Sequence, residues 1–463
     1  MTTLPLRTAP RRANVRARVD GGVRLAAGAL LWLGLLLPTY WWVADGGLRD
    51  LGGWESGLTS IGRVTGLAAS VLLLAQVILM ARVPVLERAY GQDRLARVHR
   101  IVGLTSFNLM VAHVVLITWG YSAGRLLSTP AMLWSLTWTY PGMLLAVAGT
   151  LALVMVVVTS LRAARRRLRY ESWHLLHLYA YLGVGLALPH QLWTGQQFLD
   201  RPGATVFWWT AWAVTAAAVL VFRLGLPLVH NWRHGLRVAS VVREGPSLVS
   251  VHITGRGLHR LSGHAGRFFI WRFLGLPGWT RAHPYSLSAA PGPHGLRITV
   301  QTVGDGSAAL ATLRPGSRVL IEGPYGRLSD RARTRHRIAL IGAGVGLAPL
   351  RSLAEGLDYR AGEAIVLERF RETPLFAGEF DDLTRTRGLQ VVRMPGRRRS
   401  ADSWVGTGYA SYDDVQVLLG WIPDVADRDV YVCGPPGWAD SLCRAARDAG
   451  VPDDQLHVEI FEW

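Results

Sequence analysis

Four histidines carry the most legible chemistry in the sequence. His99 and His113 are fourteen residues apart in one apolar stretch, and His177 and His190 are thirteen apart in another. At 1.5 Å per helical residue, each pair is separated by about 20 Å along its helix. Imidazole is costly in hydrocarbon unless something binds it. If the two helices cross a membrane in the same direction, His99 lies level with His177 and His113 with His190. Two imidazoles facing each other form the axial set of a six-coordinate haem iron. Two such pairs would hold two b-type haems, one near each membrane face. Fourteen residues return to within about 40° of one helix face, whereas thirteen miss it by about 140°. The second helix is therefore expected to bend, unwind or bulge, which Gly183, Gly185 and Pro189 would allow. His174 competes with His177 for the inner position. Helix-packing histidines bonded to carbonyls and a proton relay are the other readings, but no intramembrane carboxylate joins the set. Phe107, between His99 and His113, is either ordinary core or a ring packed between the haems.

Such histidines need helices that span. Six stretches have the length of about 20 apolar residues that a bilayer requires: Leu25–Ala44, Val64–Ala81, Ile101–Gly124, Gly142–Leu161, His174–Leu199 and Gly203–Phe222. The 463-residue chain is 50% hydrophobic yet carries a net charge of +18. Its arginines cluster beside the apolar runs, which fits a membrane protein with basic flanks and argues against nucleic acid as a partner. Residues 1–24 hold six arginines, 82–100 five and 162–173 five, while 45–62, 125–141 and 200–202 hold one each. Positive charge stays on the cytoplasmic side. The expectation is a multi-pass protein of the cell membrane with both termini cytoplasmic. Tyr40, Trp41, Trp42, Trp134, Trp138, Tyr140 and Trp193 crowd the outer ends as an interfacial belt. The N-terminus lacks a signal-peptide layout and is read as a retained anchor. Cys433 and Cys443 are the only two cysteines, which excludes a disulfide framework and a four-cysteine metal site.

After about residue 229 the pattern changes. "SLVSVHIT", "LRITVQTV" and "SRVLIEG" read as antiparallel strands of a small barrel. From about residue 335, "HRIALIGAGVGLAPLRSLAEGL", "EAIVLERF" and "DVYVCGPPGWADSLCRAARDAG" read as an α/β nucleotide-binding domain with a parallel sheet. The expected fold is multi-domain: a six-helix transmembrane haem bundle, an antiparallel β-barrel FAD domain and an α/β nucleotide-binding domain. Its expected limits are a basic cytoplasmic tail at 1–21, the membrane domain at 22–228, the FAD barrel at 229–332 and the NAD(P) domain at 333–463. The arginine run "GRRRS" at 396–400 is read as a solvated loop.

"HPYSLSAAP" resembles the flavin-binding segment of ferredoxin–NADP reductase-type domains, with His283 in place of the usual leading Arg, followed by Pro284. Tyr285 would pack on the isoalloxazine and Ser286 would bond its ring. "VGDGSAAL" offers Gly306, Ser307 and backbone amides to the FAD pyrophosphate. In "GAGVGLAP", Gly342, Gly344, Gly346 and Pro349 sit between a strand and a helix, where glycines let a dinucleotide pyrophosphate approach the backbone. Cys433, Gly434 and Pro435 in "CGPPGW" follow the last long strand. Cys433 would lie where nicotinamide meets flavin, or serve as a small buried hydrophobe. Arg369 and Arg371 could bind a 2′-phosphate in the bidentate manner of arginine, which favours NADPH over NADH, or form a solvated pair. The chain ends "VEIFEW"; Trp463, or else Phe461, could cover the flavin face until nicotinamide displaces it.

With these residues in place, the chain resembles the ferric reductase and NADPH oxidase superfamily, the bacterial single-chain oxidases most closely, over about residues 22–463. The resemblance implies haem ligands fourteen and thirteen apart on the third and fifth helices, which His99, His113, His177 and His190 reproduce; that spacing favours His177 over His174. It implies arginines at the two ends of the second helix that meet haem propionates or an outer oxygen site, and Arg63 and Arg82 match by position. Gln301 stands where a Lys is common, which puts that phosphate contact in doubt. No EF-hand calcium loop precedes the helices. The implied route runs from cytosolic NAD(P)H through FAD and two haems b to an outer acceptor. Dioxygen, giving superoxide, is favoured by the positive charge of Arg63, and a ferric or cupric chelate is the alternative. No obligatory protein partner is evident beside the lipid bilayer. A haem-free, membrane-anchored flavin reductase serving a partner protein and a transporter with a regulatory nucleotide domain are the readings of other classes.

Overall fold

The computed structural model describes residues 9–168, 170–195, 201–258, 265–293, 295–326 and 328–460. Contacts divide the chain into two compact units, Gly21–Gly225 and Leu226–Trp463 with Met1–Asp20.

The first unit is helical: α1 (Ala9–Ala44), α2 (Trp54–Met80), α3 (Pro84–Tyr90), α4 (Gln92–Tyr121), α5 (Thr129–Thr139), α6 (Met143–Ser160), α7 (Arg162–Arg165), α8 (Tyr170–Thr194) and α9 (Pro202–Ala218). Among the described residues, five helical segments are long and apolar enough to cross a membrane: Arg18–Ala44, Trp54–Met80, Arg94–Tyr121, Met143–Ser160 and Pro202–His234. The fifth span expected from sequence coincides with α8, a 25-residue helix that is not one of those five. Its polar His174, His177, His190 and Gln191 dilute its apolar run. α8 stays one α-helix through Gly183, Gly185 and Pro189, so of the expected bend, unwinding or bulge the helix is not unwound there; Pro189 withholds one backbone N–H, as at a bend. Small residues set the pairing of α8 with α6, as they do wherever lipid cannot drive association. A Cβ at Gly149 of α6 would stand 2.7 Å from the Gly183 carbonyl of α8, so the two backbones meet there.

The second unit opens with α10 (Leu226–His234), which leads into two three-stranded antiparallel sheets. One has the order β1 (Arg237–Gly245), β2 (Leu248–Thr254), β5 (Leu296–Gln301); the other has β4 (His283–Ser286), β3 (Phe268–Phe273), β6 (Val319–Tyr325). The short α11 (Asp305–Ala309) lies between β5 and β6 along the chain. Isolated bridges Arg237↔Arg318 and Leu287↔Ile298 join the sheets at both edges. Alternate residues of both sheets, among them Val251, Phe269, Trp271, Leu287 and Ile298, bury into one shared core. A large apolar side chain contributes about 1.5–3 kcal/mol when fully buried, so this period-two pattern fixes which face points inward.

β7 (Ile338–Ala343), β8 (Ala364–Arg369), β9 (Gln390–Met394), β10 (Asp429–Gly434) and β11 (Leu456–Ile460) then form a parallel sheet in the order β11-β10-β7-β8-β9. Its central strands are buried on both faces, which is why "IALIGA" and "AIVLER" read as continuous apolar runs. α12 (Leu347–Gly356) and α13 (Ala377–Arg387) cover one face through Leu350, Leu353 and Phe380. α14 (Asp414–Trp421) and α15 (Pro436–Asp448) cover the other through Leu418, Trp438 and Leu442.

The "GRRRS" run is not a solvated loop. Arg398 donates to the Gly437 carbonyl (2.6 Å) and to Ser441 Oγ (2.7 Å), and Arg399 pairs with Asp414 at 2.9 Å. Three adjacent cations in sequence look like surface; here two of them satisfy carbonyls and a carboxylate that folding brings together.

Candidate functional site

In the helical unit, the His99 and His177 rings face each other with centres 6.0 Å apart and planes at 68°. Each is oriented from behind. His99 Nδ1 lies 3.2 Å from the Gln76 carbonyl of α2, and His177 Nδ1 lies 3.2 Å from Ser160 Oγ of α6. Trp173 Nε1 also reaches that hydroxyl, at 3.2 Å. The Trp173 ring packs against both His174 and His177, with centres 6.4 and 5.1 Å apart. His113 Nδ1 lies 2.7 Å from the Gly62 carbonyl, and its ring fills the space over Gly66, where a Cβ would stand 2.5 Å from Nδ1. His190, which interacts electrostatically with His113, has a buried Nδ1 without a well-formed hydrogen bond. Beside it, Gln191 donates to Ser70 Oγ of α2 at 3.2 Å.

These residues fit haem. A metal–imidazole bond of about 2 Å, with the ring centre about 1 Å further back, places two axial rings about 6 Å apart. A ligating imidazole ordinarily gives its other nitrogen to a carbonyl or a similar acceptor, which leaves the far nitrogen to the metal. Three of the four histidines are arranged in this way. Among the described residues no group of three or more His, Cys, Asp or Glu could hold a metal ion.

Of the arginines, Arg63 is half-exposed and lies 4.0 Å from Asp50 Oδ2. Arg82 follows the end of α2 with φ 63°, a conformation rare outside glycine. Its guanidinium pairs with Glu87 at 3.7 Å.

In the second unit, the "HPYS" segment is β4. The His283 and Tyr285 rings lie parallel, 5.8 Å apart, because alternate residues of a strand share a face. Pro284, Tyr285 and Ser286 line a slot of about 20 Å³ with Thr299, Val345 and Ala348. Burial pushes the Tyr285 hydroxyl up to about 12, so it remains a neutral donor. Ser286 Oγ donates to Glu459 Oε1 at 3.3 Å. Cys433 is buried and lies in register with Glu459 on one side and Gly342 on the other; burial, with Glu459 adding, raises its thiol well above the usual range. Glu459 escaped sequence reasoning. Its only signal was an acidic residue within the alternating "HVEIFEW". Phe461 and Trp463 lie outside the described residues.

Gly344 turns with φ +56°, and Gly346 packs so closely on the Cys433 carbonyl that a side chain would collide with it. Gly342, Gly344 and Gly346 thus bring β7 into α12 tightly against β10, with Pro349 in the first turn of α12 and Gly434 and Pro435 at the end of β10. A second cleft, of about 260 Å³, lies beside His283 and Gly306 and is lined by Phe273, Leu276, Trp279 and Arg281. Trp279, 48% exposed, was not singled out from sequence. Ser307 is engaged within its own turn: its Oγ accepts from the Val303 and Gly304 amides at 3.0 and 3.1 Å. Arg369 is buried, its Nη1 donating to the Met394 carbonyl at 2.7 Å, and burial lowers its ionisation from the ordinary value. Arg371 is the exposed member of that pair.

A helical unit with paired imidazoles and a flavin-type strand facing a glycine-turned parallel sheet define a membrane-bound NAD(P)H oxidoreductase. The comparisons agree. The family described as "Ferric reductase like transmembrane component" matches residues 65–188. Over 250 residues the chain is 31% identical to the ferredoxin–NAD(+) reductase component of the alkene monooxygenase system of Xanthobacter autotrophicus, covering 50% of this chain and 70% of that protein. Over 219 residues it is 25% identical to a component of the Na(+)-translocating NADH-quinone reductase of Yersinia enterocolitica, covering 42% of this chain and 52% of that one, so the chain spans about half of that relative's length. The solved ferredoxin reductase of carbazole 1,9a-dioxygenase superposes with a TM-score of 0.39 at 20% identity, covering 50% of this chain and 69% of that one. The chain thus joins a segment matching the ferric reductase-like transmembrane family at 65–188 to a ferredoxin reductase-like half, the combination of the ferric reductase and NADPH oxidase superfamily.

Proposed function

We propose that the chain carries electrons from cytosolic NAD(P)H to an acceptor on the outer face of the cell membrane, with FAD and two b-type haems as resident cofactors. The observation that carries this reading is the His99–His177 pair, 6.0 Å apart and backed by Gln76 and Ser160. The flavin supplies the exchange between two-electron and one-electron chemistry, and the haems supply one-electron relays; the chain's own residues bind and orient them.

His99 and His177 would hold the inner haem, and His113 and His190 the outer one. The Gln76 and Gly62 carbonyls and the Ser160 hydroxyl occupy Nδ1 of His99, His113 and His177, which would leave their Nε2 to the haem iron. Six spans, α8 among them, and cytoplasmic termini follow from the arginine distribution. The domain limits 1–21, 22–228, 229–332 and 333–463 follow the same logic, with the two antiparallel sheets closing as the FAD barrel. Tyr285 and Ser286 orient the flavin ring, and Glu459 and Cys433 wall its nicotinamide side. Gly344 and Gly346 admit the dinucleotide backbone. Trp279 stacks the adenine of FAD in the 260 Å³ cleft, and Arg281 lies beside it for the phosphates.

Dioxygen is the favoured acceptor, because Arg63 at the outer end of α2 offers positive charge to a forming superoxide. One observation supports a second reading. Asp50 stands 4.0 Å from Arg63 and offsets that charge, an arrangement that also suits a cationic ferric or cupric centre. The test is NADH and NADPH consumption by the haem-loaded protein in air, with superoxide counted by dismutase-sensitive cytochrome c reduction. Most electrons recovered as superoxide supports the oxidase. Fast turnover only on added ferric chelate replaces it with the metalloreductase.

A further inference from the structure

One carboxylate ties together the three segments that the flavin and the dinucleotide would share. Glu379, in the first turn of α13, receives Arg297 of β5 in a two-pronged contact, Nη1 to Oε1 and Nη2 to Oε2, both 2.9 Å. Its Oε2 also lies 2.6 Å from Nε of Arg351 on α12. Both guanidinium groups are nearly out of water, at 12% and 11% exposure, against 31% for Glu379. Each arginine also reaches the stretch that leaves β4. Arg297 donates to Ser288 Oγ (3.1 Å) and to its carbonyl (2.9 Å), and Arg351 donates to the same carbonyl at 3.4 Å. Arg351 further pairs with Glu355, which accepts the Ala290 amide at 2.7 Å.

The contact extends into the loop between β8 and α13. Arg297 lies over the Phe376 ring, 5.1 Å from its centre. Phe376 has φ 61° and ψ 27°, a left-handed conformation that is unfavourable for a bulky residue and persists only where surroundings hold it. Arg297 is one such restraint, and Glu368 Oε1, accepting the Leu375 amide at 2.5 Å, is another. The flavin-side sheet thus grips the loop at the end of β8, on the side where open parallel sheets bind ligands.

We propose that Glu379 is a positioning residue for hydride transfer: by neutralising Arg297 and Arg351 together, it sets how the glycine turn and the 370–376 loop stand against the flavin strand. This rests on the reading that NAD(P)H reduces a bound flavin. Glu379 is the one anion that both nearly buried cations share; without it Arg351 keeps Glu355 but Arg297 loses its carboxylate, and the two guanidinium groups repel. The hydride step tolerates little displacement, since about 1 Å can cost about a hundredfold in rate.

The test is stopped-flow reduction of the FAD-loaded full chain by NADH and by NADPH, in the wild type and in Glu379→Gln. The limiting rate of flavin reduction should fall by about tenfold to a hundredfold, with FAD affinity unchanged. The primary isotope effect with 4-deuterated cofactor should rise, a change that simple loss of stability would not produce. Glu379→Asp should recover part of the rate. A limiting rate and isotope effect equal to wild type would overturn the proposal. If Glu379→Gln does not fold, Arg297→Lys decides: it keeps the charge and loses the fork, and an unchanged rate there is equally fatal. A wild-type flavin reduced by dithionite but by neither nicotinamide removes the underlying reading, whereas normal reduction in wild type and variants alike removes the positioning role alone.

Discussion

His99 and His177 meet ring to ring at 6.0 Å, and each turns its Nδ1 to an oxygen on a neighbouring helix, Gln76 on α2 and Ser160 on α6. Four helices thus converge on one pair of nitrogens. The arrangement orients both rings from behind and would leave Nε2 of each for a metal. His177→Leu or His99→Leu should remove one haem per chain, read by pyridine haemochromogen. His113→Leu or His190→Leu should remove the other. Flavin reduction by NAD(P)H should persist in all four. Full haem content in any of them would sink that ligand assignment.

The orienting hydroxyl makes its own prediction. Ser160→Ala leaves His177 Nδ1 without its acceptor, and loss of such a partner typically costs tenfold to about a hundredfold in metal affinity. We expect that variant to lose haem on dilution or on challenge with apomyoglobin, while Thr159→Ala, one residue earlier, does not. Equal haem retention in both would show that Ser160 orients nothing.

Trp279 should distinguish FAD from FMN. Stacking of a base on an aromatic ring contributes about 1–3 kcal/mol, so Trp279→Ala should weaken FAD binding by about tenfold or more. FMN, which has no adenine, should bind both proteins alike. Flavin fluorescence titration measures this directly, and equal losses for both flavins would place the adenine elsewhere.

Arg369 and Arg371 separate in the same way. Arg369 is committed to the Met394 carbonyl, so Arg371 is left for a 2′-phosphate. Arg371→Ala should raise the KM for NADPH about tenfold, the scale of one lost charge-assisted bond, and leave that for NADH unchanged. A matched change for both cofactors would mean that no 2′-phosphate is read there.

Glu368 predicts a pH dependence of stability. Burial lifts its carboxyl to about 7, although the Leu375 amide and Arg393 pull the other way. Its folded pKa is therefore above its unfolded value of about 4.3, and the folded state holds a proton that the unfolded chain releases. Its contribution is complete below about pH 4.3 and is lost as pH rises through about 7, a change on the order of 4 kcal/mol. Glu368→Gln keeps an acceptor for Leu375 without the titration. Thermal unfolding followed between about pH 5 and pH 8 should show a smaller decline in this variant than in wild type. Parallel declines would mean that other groups carry the effect.

The sequence showed what repeats and what is apolar. The fourteen-residue spacing of His99 and His113 survives as a helical register, and the unbroken apolar runs at 338–343 and 364–369 are the buried parallel strands β7 and β8. Side-chain partners distant in sequence stayed hidden. Nothing near Arg63 announces Asp50, and nothing near Arg297 announces Glu379, 82 residues away. The thirteen-residue spacing on α8 suggested a bend, unwinding or bulge; the helix is not unwound and runs on through Pro189. Arg398 and Arg399 looked solvated because charge is local in sequence, whereas the Gly437 carbonyl and Asp414 that bind them are supplied by folding.

The central claim is that two haems lie between flavin and acceptor. The most direct measurement is the anaerobic titration of the purified, flavin-loaded protein with NADPH or NADH, recording flavin and haem absorbance together and counting haem per flavin. The account expects two haems per flavin, both reduced by the nicotinamide. A preparation that carries flavin but no haem, and still passes electrons to a soluble acceptor, would contradict it.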